Sequence, residues 1–321
     1  MQSDMRIINH QGVLGMTTSE IGGHALDLYE SIKRSLATEA GRISLHDEVG
    51  AHASHLASSI ESIFCSETDG SGDGSLGDRL ERLDTAIAEM VGAQALLSYW
   101  GTQSNVHTLT LPFRIVLGCL SSASVHQRWS DLCWYPAIML LYSGGVAAVA
   151  ANSYENLSAF MLGIDQHSAE QGHSVTLMYR AISEMSKVSE AIKRIPGKER
   201  YRVPLSEHLF GLLRSSMGQL LWVREEYEAA FDRFEVLLSM EYASQRAGDQ
   251  ISHVWGPIGR FGWKAHGDAD QSPLHRIIGE AKKLGESWPP IRAGLFGGSV
   301  ERLDELMPKY QGFVERAAWT W

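Results

Sequence analysis

The chain has 321 residues, 44% of them hydrophobic and 21% charged, which is ordinary globular usage, enough for a large core, and excludes global disorder. The 28 Lys and Arg against 38 Asp and Glu leave a formal net charge of −10, so phosphate backbones repel the chain as a whole and nucleic acid is not an expected partner. Its three cysteines, Cys65, Cys119 and Cys133, form no CxxC pair; no disulfide framework or cysteine-rich metal site is expected, and a cytoplasmic setting is.

The first residues, MQSDMRIINHQGVLG, hold no basic segment followed by an apolar one, so no secretory signal is read; Met16 offers an alternative start. Residues 1–65 are expected to form a helical extension, with helices over 25–36 and 46–64. In the second of these, Val49, Ala53, Leu56, Ile60 and Ile63 or Phe64 recur at steps of three or four. Residues 66–77, SETDGSGDGSLG, read as a Gly/Ser/Asp linker before a main helical domain over 78–321.

Asp78 is the expected N-cap of the next helix, in which Leu80, Leu83, Ile87 and Met90 repeat at helical steps. Further helices are predicted over 109–121, 137–151, 154–162, 176–194, 205–221, 225–245, 272–286 and 300–316. No charge falls within 132–154, a length that can span a bilayer. Pro136 and Gly144-Gly145 interrupt it and no Lys/Arg cluster flanks it, so a buried core helix is expected instead. Strand signals are sparse. The expected fold is all-α, a helical-hairpin bundle or irregular α-solenoid.

Two segments are candidates for recognition. Residues 254–264, VWGPIGRFGWK, place Trp255, Arg260, Phe261 and Trp263 among glycines and a proline, the composition of a loop. Aromatics and Arg exposed on a loop make a contact point for a protein partner, whereas folding back would plug the core. Around Pro196-Gly197, the residues Lys193, Arg194, Lys198, Arg200 and Arg202 crowd together. They read as a solvated helix end or as recognition of an acidic or phosphate-bearing partner.

Gly145 and Tyr154 in GVAAVAANSYENLSAFM, and Gly218 and Tyr227 in GQLLWVREEYEAAFDRFEVLL, resemble tetratricopeptide hairpins. In that family a Gly on the first helix admits the second closely and an aromatic opens the second; Ala230 and Phe234 also match. The resemblance implies an interaction scaffold. Over roughly 134–264, WYPAIMLLYSGGVAAVAANSYENL, RYRVPLSEHLFGLL, EYEAAFDRFEVLLSMEYA and WGPIGRFGWK are similar in texture to C-terminal helical regions of bacterial phage-defence proteins. That resemblance implies a regulatory region acting with a protein effector; a homo-oligomer is a further expectation.

The alternative is an enzyme. His46-Asp47 in SLHDEVGAHASHL resembles the dyad of helical metal-dependent phosphohydrolases. The resemblance implies a divalent metal held by His46 and Asp47, with His24 upstream and Asp84 closing the site, and water attack on phosphorus. The plainer reading leaves His52 and His55 on a polar helix face. Asp69, Ser71, Asp73 and Gly74 resemble half of an EF-hand loop, but Leu80 stands where the closing Glu belongs. No GxxxxGK[ST], GxSxG, HExxH or dinucleotide fingerprint is present, so no cofactor and no catalytic residue is expected. Phe296-Gly297-Gly298-Ser299 reads as a helix-flanking turn, and the final AAWTW is expected to dock on the body.

Overall fold

A computed structural model describes residues 18–65, 75–122, 127–168, 173–248, 251, 254–266 and 272–318. Helix α1 (Thr18–Leu36, side chains from residue 27) leads into α2 (Arg42–Cys65). On α2 the buried side chains are Leu45, Val49, Ala53, Leu56, Ile60, Ile63 and Phe64, the single apolar face its spacing predicts. Ser75, not Asp78, caps α3 (Leu76–Trp100). Its hydroxyl accepts the Asp78 N–H at 3.1 Å and the Asp78 carboxylate accepts the Ser75 N–H at 2.9 Å, a reciprocal capping box. Helix α2 packs on α3 and on α4 (Val106–Ser122), and the buried residues of α1 and α2 belong to the same core as the rest. Residues 66–74, with Asp69, Ser71 and Asp73, lie outside the described residues.

Helix α5 (Tyr135–Ala150) is the axis: every residue from Tyr135 to Val149 is buried. The helical run Trp129–Ala150 is long and apolar enough to cross a membrane by composition, and 89% of its apolar window is buried inside the protein, as a core helix requires. Asn152 turns the chain in the left-handed region (φ 55°) into α6 (Tyr154–Met161). A small antiparallel hairpin follows, β1 (Asp165–Ser168) paired with β2 (His173–Thr176), from Asp165 opposite Thr176 to Ser168 opposite His173. It was not expected, because DQHS and HSVT carry no apolar alternation. Thr176 then caps α7 (Leu177–Lys193), its hydroxyl accepting the Tyr179 N–H at 3.2 Å.

Helix α8 (Pro204–Met217) opens on a proline, which needs no N–H partner there. Helix α9 (Arg224–Ala247) is unbroken and packs on α5. Gly145 makes that approach possible: a Cβ there would lie 2.0 Å from the Phe234 ring. Its close contact is thus to α9 rather than to α6. Gly218 is the C-cap of α8, on the turn into α9. Helices α10 (Pro273–Leu284) and α12 (Val300–Ala318) pack on α9, and the short α11 (Pro289–Arg292) lies between them in sequence. Before α12 the chain makes the expected turn, with Phe296 at φ 57°, and the Phe296 N–H donates to buried Glu241 at 2.5 Å. The last three residues lie outside the described part. The fold is all-α, a bundle around α5.

Candidate functional site

Two glycines explain how the aromatic segment is mounted. Residues 254–259 run along α9 and lead into a 3₁₀ turn, Arg260–His266. A Cβ at Gly256 would lie 2.4 Å from Ser239 Oγ, and one at Gly259 would lie 2.2 Å from the Glu235 carboxylate. Glu235 and Ser239 stand one turn apart on α9, so the segment lies against two successive turns, and at Gly256 a Cβ would also strike the Ser239 backbone carbonyl at 2.7 Å, a contact only glycine avoids. Phe261 is 1% exposed. It is therefore a core anchor, which corrects the expectation that it faces a partner: the 3₁₀ turn drives its apolar ring inward.

Trp255 and Trp263 remain 45% and 40% exposed. Each is braced by a cation. The Arg246 guanidinium lies 5.2 Å from the Trp255 ring, and that of Arg260 lies 4.9 Å from Trp263 and 3.7 Å from Phe210. The Arg260 N–H donates to Ser206 Oγ at 3.0 Å, and Lys264 pairs with Glu228 and Asp232. Burial raises Asp232 above the usual carboxylate range despite Lys264, while the Lys264 hydrogen bond lowers the more open Glu228. Trp222 and Val223, just before α9, add exposed apolar surface at the end of the helix that Lys264 grips; Trp222 is 83% exposed. The predicted helix over 205–221 runs past the observed end of α8 at Met217, and Trp222, just beyond that predicted helix, is given no role in the sequence reading. The available signal was Gly218, which ends that helix.

The basic cluster is dispersed. Lys193 and Arg200 are exposed, and Arg194 pairs with Asp131 at 2.6 Å. Lys198 turns inward, its Nζ 2.7 Å from His208 Nδ1. His208 Nε2 lies 2.9 Å from the Tyr135 hydroxyl, which donates to Asp84. The chain Lys198–His208–Tyr135–Asp84 ties α8, α5 and α3 together, and it runs in one donor direction when His208 carries its proton on Nε2. Burial lowers the Lys198 ammonium below its ordinary value, against the opposing pull of Asp84. Asp84 is thus a structural acceptor in this chain.

The residues of the metal reading do not converge. His46 Nδ1 lies 3.2 Å from Thr108 Oγ1, Asp47 is exposed, and Asp84 belongs to the polar chain just described. His24 falls on α1, and its side chain lies outside the described part. Among the described residues no group of three or more His, Cys, Asp or Glu stands together as metal ligands. A dyad of adjacent residues on one helix points its two side chains about 100° apart, and here the partner of His46 on α4 is the Thr108 hydroxyl rather than a metal ligand.

Beneath the aromatic segment lies a partly open cavity of about 380 Å³. Its walls come from α5, α7, α8, α9, α12 and the segment itself, and they include Trp255 and Arg202. Glu235 faces it, 3% exposed. Glu235 Oε1 accepts from Tyr142 at 3.2 Å and from Ser206 at 2.6 Å, while Oε2 accepts no hydrogen bond. Burial, with the neighbouring Asp232, pushes the Glu235 carboxyl up to about 7 against the pull of Ser206, Tyr142 and the Arg260 backbone N–H. No protein-family model, curated protein or solved structure matches the chain.

Proposed function

We propose that this chain is a cytoplasmic regulatory module that captures a protein partner through the face formed by Trp255, Arg260 and Trp263. The carrying observation is that two exposed tryptophans are fixed in place by buried anchors, glycine contacts on α9 and cation stacking. Trp and Arg dominate interface energetics, and side chains ordered before binding lose little entropy on capture. The exposed Lys193 and Arg200 would add attraction for an acidic partner surface. The resemblance to phage-defence proteins supports an effector as the partner. A second copy of the chain is the competing occupant, distinguished by its mass in sedimentation.

The test is affinity purification of the full chain from its native host, beside the double variant Trp255→Ala, Trp263→Ala. The variant is expected to lose the co-purifying protein with its melting temperature nearly unchanged, since neither side chain fills the core. Undiminished capture by the variant would count against this face.

A further inference from the structure

The polar chain of Lys198, His208, Tyr135 and Asp84 draws titratable groups from three helices and one connection, and the partner face does not use them. One contact in it joins two nitrogens: Lys198 Nζ lies 2.7 Å from His208 Nδ1. An ammonium only donates, so this is a hydrogen bond when Nδ1 accepts and the ring proton is on Nε2. Nε2 then meets the Tyr135 hydroxyl at 2.9 Å and faces Asp84 Oδ2 at 3.4 Å. A second proton, on Nδ1, would put donors on both sides of the 2.7 Å gap and a positive charge on each. The contact cannot survive it.

The surroundings decide which side gives way. The His208 and Asp84 side chains are 11% and 16% exposed, and Tyr135 is fully buried. An imidazolium is drawn more strongly to the Asp84 carboxylate, which already accepts the Tyr135 hydroxyl. Lys198 sits on the connection between α7 and α8, part-buried, on a flexible four-carbon stem. Burial already lowers its ammonium, so water is the better host once the imidazole stops accepting. Lys198 also ties the connection together. Its N–H donates to the Ile195 carbonyl at 3.0 Å, and its own carbonyl accepts the Tyr201 N–H at 3.1 Å.

We propose that the connection between α7 and α8 is an acid-sensitive latch: protonation of the Lys198–His208 pair expels Lys198 into water, loosens residues 195–203 and adds a cation to the exposed Lys193, Arg200 and Arg202. The enlarged basic patch suits an acidic protein surface. The latch goes beyond the tryptophan face and is read without any partner.

The groups that face His208 are Asp84 of α3, Tyr135 of α5 and Lys198 of the connection. Helices α7 and α9 also pack on α8, but among the described residues neither sends a hydrogen bond or ion pair to His208. Glu207, beside it on α8, feels Arg260. Burial and Asp84 keep the Tyr135 hydroxyl protonated. An imidazole is the side chain whose ordinary titration lies between pH 5 and 8. Glu235, which sits at about 7, makes the whole fold firmer toward acid. Loosening confined to 195–203 at low pH is therefore distinct from general softening.

The experiment takes the full chain from pH 8 to pH 5 with two readouts. Long-range ¹H–¹⁵N spectra of histidine-labelled protein report the protonation of each ring nitrogen. Hydrogen exchange by mass spectrometry, corrected for the intrinsic effect of pH, reports the opening of 195–203. His208 is expected to carry its proton on Nε2 at pH 8 and on both nitrogens at pH 5. Exchange in 195–203 is expected to rise at least tenfold while α8 stays protected. Lys198→Met keeps the stem and is expected to raise the His208 midpoint by about one unit, tenfold in proton affinity. In His208→Gln the rise in exchange is expected to vanish; should that variant fail to fold, the other measurements still decide. A midpoint unmoved or lowered in Lys198→Met would overturn the latch. So would a ring proton on Nδ1 at pH 8, exchange in 195–203 that ignores pH, or the same rise in His208→Gln.

Discussion

Gly145→Ala should destabilise the protein by about 3 kcal/mol or more, at the upper end of overpacking effects. The added methyl would lie 2.0, 2.4 and 2.4 Å from three atoms of the Phe234 ring. That ring has nowhere to swing: it is fully buried and stands edge-on to Tyr142, with centroids 5.1 Å apart at 82°. Relief requires α5 and α9 to move apart, and both line the core. Gly211→Ala is the matched control. It lies inside α8, is exposed, and a Cβ there meets nothing within 4 Å, so alanine should stabilise by up to about 1 kcal/mol through helix propensity. Urea melts of both variants check the contrast; equal midpoints would remove the α5–α9 contact from the explanation.

Stability should fall as pH rises from 5 to 8. The Glu235 carboxyl has an ordinary value of 4.5 and sits at about 7 in the folded chain. Between these values the native state holds a proton that the unfolded state has released. The stabilisation is therefore fully present below pH 4.5 and lost as pH rises through about 7. For this fully buried group the loss amounts to about 3 kcal/mol. Burial also raises Glu241, Asp232 and the part-buried Glu207, which act in the same direction. Glu30, Glu228 and Glu301 are lowered, but at exposed or half-exposed positions where solvent screens the effect. Melting temperatures across pH 5 to 8 should decline in the unaltered chain and decline less steeply in Glu235→Gln, with Glu241, Asp232 and Glu207 supplying the remaining slope. Parallel slopes would place the titration on another group.

The helices were legible because apolar residues at steps of three and four mark a buried face whatever covers it. The seven buried positions of α2 and the charge-free run of α5 illustrate this. Helix α9 shows where that reading ends. Asp232, Glu235 and Glu241 belong, by type, on a solvated face, yet all three are buried. They are covered by segments distant in sequence, 254–264 and 295–299, and Phe296 brings its own backbone N–H to Glu241. Charge alone cannot announce such a cover.

The site divides in the same way. Trp255 and Trp263 carry their exposure in loop composition, whereas Phe261 is of the same type and lies inside. The telling signal was the spacing of Gly256 and Gly259, which places backbone on two turns of a helix, and it becomes readable only once that helix is identified. The basic cluster looked unified in sequence because its members are neighbours. In space Arg194 takes Asp131 and Lys198 takes His208, since each nearby element offers a different acceptor.

The most direct measurement of the partner face is site-specific crosslinking in the native host, with Trp263→p-benzoylphenylalanine beside Ile43→p-benzoylphenylalanine. Ile43 is 76% exposed and near the start of α2, outside the segments that build the face. Irradiation should link one defined protein to position 263 and leave position 43 unlinked. No adduct at 263, or the same adduct from both positions, would contradict a partner held on Trp255, Arg260 and Trp263.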